Sequence, residues 1–337
     1  PGSGKSESQR FVAEQMLKRQ LFDVRCGNIL PSDVRLPVAV HEDKQSTYYG
    51  NSELPFLSKS VGEDSSIYIH WDELLDAPLP IMRIVKQAMN DNCIGGLPFP
   101  MNTLQAASAN GMDHGSFSER VPLSNANRLA WYEVGIDIDS FLNWLQEQGI
   151  YPELQACIQA NMNVAYDIQV SKWDGKSNFA SFRSLEEVGK MLNAEYIEEV
   201  GTPEDPNYKR RLKSPTSDRL FEAKLNAIVG FKAAKVISTF LKIFEAVGSI
   251  DNLLRDPSGC RIPEDLPTKW VIACKLSGEA TAENLDAVMK IAERLSGKKG
   301  FMEAYIAKSI GKNKPLLGGE PALIGWMTEN TLELCGR

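Results

Sequence analysis

The 337-residue sequence is poor in the residues that hold metals by nitrogen or sulfur. It has three histidines, His41, His70 and His114, and six cysteines, Cys26, Cys93, Cys157, Cys260, Cys274 and Cys335, with no C-x-x-C pair. Neither set has metal-ligand spacing, so a zinc site is not expected. Scattered cysteines fit reduced thiols, and with no secretory signal in view the expected location is cytoplasmic. No apolar run reaches the ~18–20 residues that cross a bilayer. The most apolar stretch, LNAIVGFKAAKVISTFLKIFEAVG, is interrupted by Lys232, Lys235 and Lys242, a spacing that suits an amphipathic helix. Basic residues are not in excess either. A net charge of −7 and a pI of about 5.3 leave no overall electrostatic footprint for nucleic acid or an anionic membrane.

What is present is an ordinary globular composition, 43% hydrophobic and 24% charged, in a chain long enough for more than one packing unit. The first ~150 residues alternate helical and extended patterns, which predicts an α/β sheet with crossover helices. ESQRFVAEQMLKRQ carries a helical stripe at Phe11, Val12, Met16 and Leu17. LFDVRCGN reads as a strand, and so do IYIHW, TLQAASAN and LAWYEVGI. PLPIMRIVKQAMNDN places Ile81, Ile84, Val85, Ala88 and Met89 on one helical face. CIGGLPFPMN, with Gly95, Gly96, Pro98 and Pro100, reads as a hairpin or irregular excursion. Beyond residue 137 the pattern turns helical in SFLNWLQEQG, PELQACIQANM and SLEEVGKMLNAEY. A charged linker, GTPEDPNYKRRLKSPTSD, then leads into a helical tail over 219–337. Its KRR lies beside acidic residues and reads as solvated surface.

The chain opens PGSGKSESQR, without an initiator Met. Gly2, Ser3, Gly4, Lys5 and Ser6 match the end of the phosphate-binding pattern G-x-x-x-x-G-K-[ST]. They are equally compatible with a Gly/Ser expression scar. The pattern's first glycine would lie two residues before Pro1. Strand IYIHW runs directly into Asp72-Glu73. Adjacent carboxylates at a strand's end can hold a Mg²⁺ shell and polarise an attacking water, or can simply suit a helix N-terminus. Asn110, ending TLQAASAN, can orient that water or make the turn into Gly111. Arg128 in LSNANRLAWYEV can reach a neighbouring subunit's nucleotide or pair locally. Arg183 in FASFRSLEEV can contact phosphates or pair with Glu186 and Glu187. His70 reads as a satisfied packing residue, not a ligand.

In this order, these stretches resemble the MoxR-like AAA+ ATPases. The resemblance is carried by FDVRCGNILPSDVRLPV, IYIHWDELLDAPLPIMRIVKQAMNDNCIGGLPFP, TLQAASAN, VPLSNANRLAWYEV and FRSLEEVGKML, and in the tail by VGFKAAKVISTFLKIFEAVGSIDNLLRDPSGCRIPEDLP. It implies a P-loop NTPase core with a parallel sheet over 1–136, an α-helical lid over 137–200, a charged linker over 201–218 and a helical C-terminal extension over 219–337. It implies ATP and Mg²⁺ as cofactors. Gly2, Ser3, Gly4, Lys5 and Ser6 then form a phosphate loop whose upstream strand and first glycine are cut from this chain. Lys5 serves the β/γ-phosphates, and Ser6 and Asp72 serve the metal. Glu73 is the water-activating base, Asn110 the sensor on the next strand, Arg128 the finger contributed in trans, with Arg120 its rival, and Arg183 the lid sensor. His70 and Trp71 replace the family's small or aliphatic residues, Leu129 its Phe, and Phe182 its Pro. The implied activity is ATP hydrolysis by a homo-oligomeric, hexameric ring that remodels a protein client or acts with a von Willebrand factor A domain partner. The alternatives are a nucleotide-binding scaffold that assembles without hydrolysis, and a small-molecule P-loop kinase.

Overall fold

The computed structural model describes residues 2–34, 36–40, 45–49, 54–57, 61–111, 129–150, 152–165, 178–200, 209–212, 215–296, 306–307, 310 and 324. The described residues divide at Asp137 into two compact units.

The first unit is built on a parallel sheet of three strands. Helix α1 (Lys5–Phe11) continues through one π-helical turn, Val12–Met16. Strand β1 (Gln20–Arg25), a short helix α2 (Pro31–Val34) and an antiparallel pair β2 (Leu36–Val40) and β3 (Gln45–Tyr49) follow. Next come β4 (Ser66–Asp72), α3 (Leu79–Asp91), a small hairpin of β5 (Cys93–Ile94) and β6 (Leu97–Pro98), and β7 (Asn102–Ala107). The sheet order is β1-β4-β7, with both pairings parallel, so each connection crosses back over the sheet, as parallel pairing demands. Gly95 and Gly96 both have positive φ, 59° and 85°, the conformation that a two-residue hairpin turn needs.

Alternation along central β4 sorts its side chains to two faces. Ile67, Ile69 and Trp71 bury themselves against Phe56 and against Ile81, Met82, Val85 and Ala88 of α3. Phe56 is the hub of that face, with edge-on contacts to Phe22, Trp71 and Phe99 at centroid distances of 5.6, 6.0 and 5.3 Å. Tyr68, His70 and Asp72 take the opposite face. There Tyr68 Oη donates to Gln9 of α1, which places α1 on that side.

LAWYEVGI departs from the expected strand. Residues 129–137 have no regular structure, and Trp131 and Tyr132 are exposed. A strand pattern in sequence becomes a strand only where a neighbour supplies the hydrogen-bond ladder, and no described strand pairs with this segment.

The second unit is helical: α4 (Ile138–Glu147), α5 (Pro152–Ala160), α6 (Phe182–Glu195), α7 (Phe221–Val247), α8 (Asp251–Arg255), α9 (Leu266–Glu279) and α10 (Leu285–Ser296). Asp137 and Asp265 cap α4 and α9 by accepting the N–H groups of Ser140 and Thr268, and Ser181 with Ser184 forms a reciprocal cap on α6. Leu145, Leu154, Ile158, Leu185, Leu192, Leu225, Ile237 and Leu241 share one core, so helices on both sides of the charged linker pack together. A second cluster joins Ile272, Leu276, Val288, Ile291 and Leu295. The linker itself is not wholly irregular. Its KRRL (β9, Lys209–Leu212) pairs antiparallel with β8 (Ile197–Val200), in a register that sets Glu198 opposite Arg211 and Glu199 opposite Arg210.

Candidate functional site

Strands β4 and β7 end together at the carboxyl edge of the sheet, where open parallel sheets bind their ligands. Glu73 leaves β4 with φ 55°, in the left-handed region, and this bend ends the strand. Leu74 N–H then donates to Ser108 O, and Ser108 N–H to Trp71 O, both at 3.0 Å, so the two strand ends are tied one residue beyond the ladder.

The loop before α1 meets this edge. Gly2 and Gly4 have φ 70° and 82°, which gives the backbone the left-handed turns a phosphate-wrapping loop requires. From this loop Lys5 Nζ donates to Asn110 Oδ1 at 3.0 Å and Ser6 Oγ to Asp72 Oδ2 at 2.9 Å. Residues separated by 105 and 66 positions in the chain thus converge on one spot. Asp72 is half-buried, whereas Glu73 is exposed and stands over Gly27.

The other carboxylate oxygen of Asp72 is held from behind. Its Oδ1 accepts hydrogen bonds from the Ser108 hydroxyl and, at 3.0 Å, from the Glu73 N–H. Ser108 Oγ lies 3.1 Å from His70 Nε2, and His70 Nδ1 lies 2.9 Å from Asp23 Oδ1. Since Ser108 gives its one proton to Asp72 it can only accept from Nε2, and the Asp23 carboxylate can only accept from Nδ1, so both ring nitrogens donate. Burial pushes the Asp72 carboxyl upward. Hydrogen bonds from Ser108 and Ser6, the adjacent His70 and the Glu73 N–H outweigh that and hold it below its ordinary value. Burial, with Asp72 next in size, pushes the neighbouring Cys26 thiol up to about 12, so it stays protonated and is no nucleophile.

Asp23, His70 and Asp72 bring ligand atoms within 4.8 Å of one another, but they do not form a cage for one ion. Asp23 faces Nδ1 of the imidazole while Asp72, 4.0 Å away, faces Nε2. The two ring nitrogens point apart, so a single metal could not take both sides. The oxygen pair Ser6 Oγ and Asp72 Oδ2 is the better donor set. A hydroxyl and a half-buried carboxylate are hard ligands that suit Mg²⁺, which keeps most of its waters.

Of the residues expected from sequence, Gly2, Ser3, Gly4, Lys5, Ser6, Asp72, Glu73 and Asn110 lie at this one edge. Arg128 and its rival Arg120 lie outside the described residues. Arg183 is exposed near the N-terminus of α6 in the second unit. Sequence reasoning missed Ser108 and Asp23, and it read His70 as a satisfied packing residue without identifying these two as its partners. The available signal was polarity: a His inside an otherwise apolar strand needs partners for both ring nitrogens. No protein-family model matches this chain, and no curated protein matches it either.

Proposed function

We propose that the first unit is a nucleoside-triphosphate-hydrolysing P-loop module. More particularly, it is an AAA+ ATPase of the MoxR-like kind, working as a hexameric ring on a protein client. One observation carries this reading: Lys5 and Ser6 from the glycine loop meet Asn110 and Asp72 at the ends of adjacent parallel strands. That convergence is what phosphoryl-transfer catalysis asks of a fold, because its main tasks are positioning and charge stabilisation.

In this mechanism the backbone N–H groups of Gly2–Ser6 and the Lys5 ammonium hold the β- and γ-phosphates. Lys5 exchanges its contact with Asn110 for the phosphate oxygens, which frees the Asn110 amide to orient a water. Ser6 Oγ and Asp72 Oδ2 would hold Mg²⁺, which would supply positive charge against the charge developing on the phosphates. Glu73, exposed beside the site, takes a proton from the attacking water. Arg128 serves as the finger on a neighbour's nucleotide, and Arg183 keeps only the lid-sensor role that the family resemblance implies.

The test is ATP turnover against protein concentration in the full-length chain, with Glu73→Gln alongside. A rate per subunit that rises with concentration and collapses in Glu73→Gln supports an assembled ATPase. Tight ATP binding without turnover in either protein leaves a nucleotide-dependent scaffold. A phosphorylated acceptor in place of free phosphate leaves a kinase.

A further inference from the structure

The chain Asp23–His70–Ser108 runs across all three strands on one face of the sheet and ends on Asp72. The register explains how. Asp23 of β1 is the lateral partner of His70, and on the other side His70 pairs with Ala106 of β7. Ser108 lies two residues after Ala106, just past the end of β7 and tied to β4 by its N–H, and its hydroxyl reaches the same face. Ala106 leaves room beside the imidazole, and His70 is only 1% exposed.

A buried β-strand has no packing need for such a residue. Val, Ile or Leu fills a central parallel strand without polar atoms to satisfy, and a buried donor or acceptor left unpaired costs about 1–3 kcal/mol. Here both ring nitrogens are matched, one to a carboxylate and one to a hydroxyl. The hydroxyl in turn grips Asp72 Oδ1, while Ser6 grips Oδ2. A carboxylate with two rotatable torsions is thereby held at both oxygens.

We infer that Ser108, His70 and Asp23 are positioning residues for Asp72: the chain fixes the rotation of its carboxylate so that Oδ2 is presented toward the Ser6 hydroxyl and the metal while Oδ1 stays anchored to the sheet. The inference rests on the reading of Asp72 as the metal-holding carboxylate. It assigns a role to three residues outside the phosphate loop, acting through one another on Asp72. Ser108 acts directly on Asp72, His70 directs the Ser108 hydroxyl, and Asp23 sets the plane of the imidazole. Outer partners of this kind typically change metal affinity by about 10–100-fold when removed, so the effect should decline along the chain from Ser108 to Asp23.

The experiment measures Mn²⁺ affinity by electron paramagnetic resonance, in the full-length chain with a non-hydrolysable ATP analogue. Nucleotide affinity in EDTA and thermal melting are recorded beside it. Ser108→Ala should lower Mn²⁺ affinity about tenfold or more with unchanged metal-free nucleotide affinity, whatever melting is lost from the unpaired His70 nitrogen. Ser108→Thr, which keeps the hydroxyl, should recover it, and His70→Gln and Asp23→Asn should fall between. If Ser108→Ala binds Mn²⁺ like wild type, the positioning role is overturned and the ATPase reading stands. If His70→Gln lowers melting and metal-free nucleotide affinity in step with Mn²⁺ affinity, the chain is structural only and the inference again fails. If wild type itself gains no nucleotide affinity from the metal, the reading of the site falls and this inference with it.

Discussion

Lys5 and Glu73 are the immediate chain neighbours of Ser6 and Asp72, yet their proposed tasks separate cleanly in experiment. Lys5 is bound to Asn110 by a charge-assisted hydrogen bond that phosphate would replace. Lys5→Ala should therefore weaken ATP binding by about 10–100-fold, the value of a lost hydrogen bond to a charged group, as read by fluorescent-nucleotide titration. Glu73 is exposed and has no part in holding phosphate in this scheme. Glu73→Gln should keep nucleotide affinity and lose about 100-fold or more in turnover, the usual worth of a positioned base. A second residue-scale test lies in the helical unit. Asp218 accepts hydrogen bonds from Tyr196, from the Leu220 N–H and from Lys224, which hold its carboxyl down at about 2. A depressed carboxylate stabilises the fold above its unfolded value of 3.8 and loses that contribution as pH falls from there through about 2. Asp218→Asn should consequently melt below wild type at pH 7, and the gap should close by pH 2. A gap that persists at pH 2 would show that packing, not charge, is what the substitution disturbs.

Among the elements, α7 and β4 carry the sharpest constraints. Helix α7 contains Gly230 at φ 76° and ψ 163°, a break in an otherwise continuous run of 27 residues. A Cβ there would stand 2.1 Å from Asn178 O, and the Asn178 amide reaches Ala227 O across the same break. Only glycine fits both the conformation and the approach. Gly230→Ala should cost about 1–3 kcal/mol from backbone strain, with the clash added, seen as earlier loss of helical circular dichroism on heating. The amphipathic pattern of this segment was plain in the sequence, because apolar spacing is local. The break was not, because Gly230 is one glycine among many until Asn178 is brought against it. Strand β4 shows the reverse case. Its apolar side, Ile67, Ile69 and Trp71, is legible by alternation, and Phe56 closes over it. Phe56→Ala should cost about 3–5 kcal/mol in the first unit alone, checked by denaturant titration of tryptophan emission from Trp71. The partner side of β4 is where pattern reading stopped short. His70 looked like packing because nothing in one strand's sequence says that Asp23 and Ser108 flank it.

At the scale of the whole molecule, the division at Asp137 has a thermodynamic consequence. Two units with separate cores should give two calorimetric transitions. ATP with Mg²⁺ should raise only the one belonging to the first unit, by about 2.7 kcal/mol at a hundredfold excess over Kd. An equal shift of both transitions would mean that the nucleotide couples them. No helix among the described residues is long and apolar enough to cross a membrane, in line with the lysines that interrupt the most apolar segment. Composition and periodicity by themselves determined the α/β half, the helical half and the three central strands, since these follow from local spacing of apolar residues. The order Gly-Lys-Ser, Asp-Glu, Asn was also readable, since it is written along the chain. Tertiary structure alone decided that Lys5 faces Asn110 and Ser6 faces Asp72, that LAWYEVGI stays irregular without a neighbouring strand, and that Asp23, His70 and Ser108 line up behind one carboxylate. Those facts depend on which strands lie side by side and in what register, and register couples residues tens of positions apart that no local pattern joins.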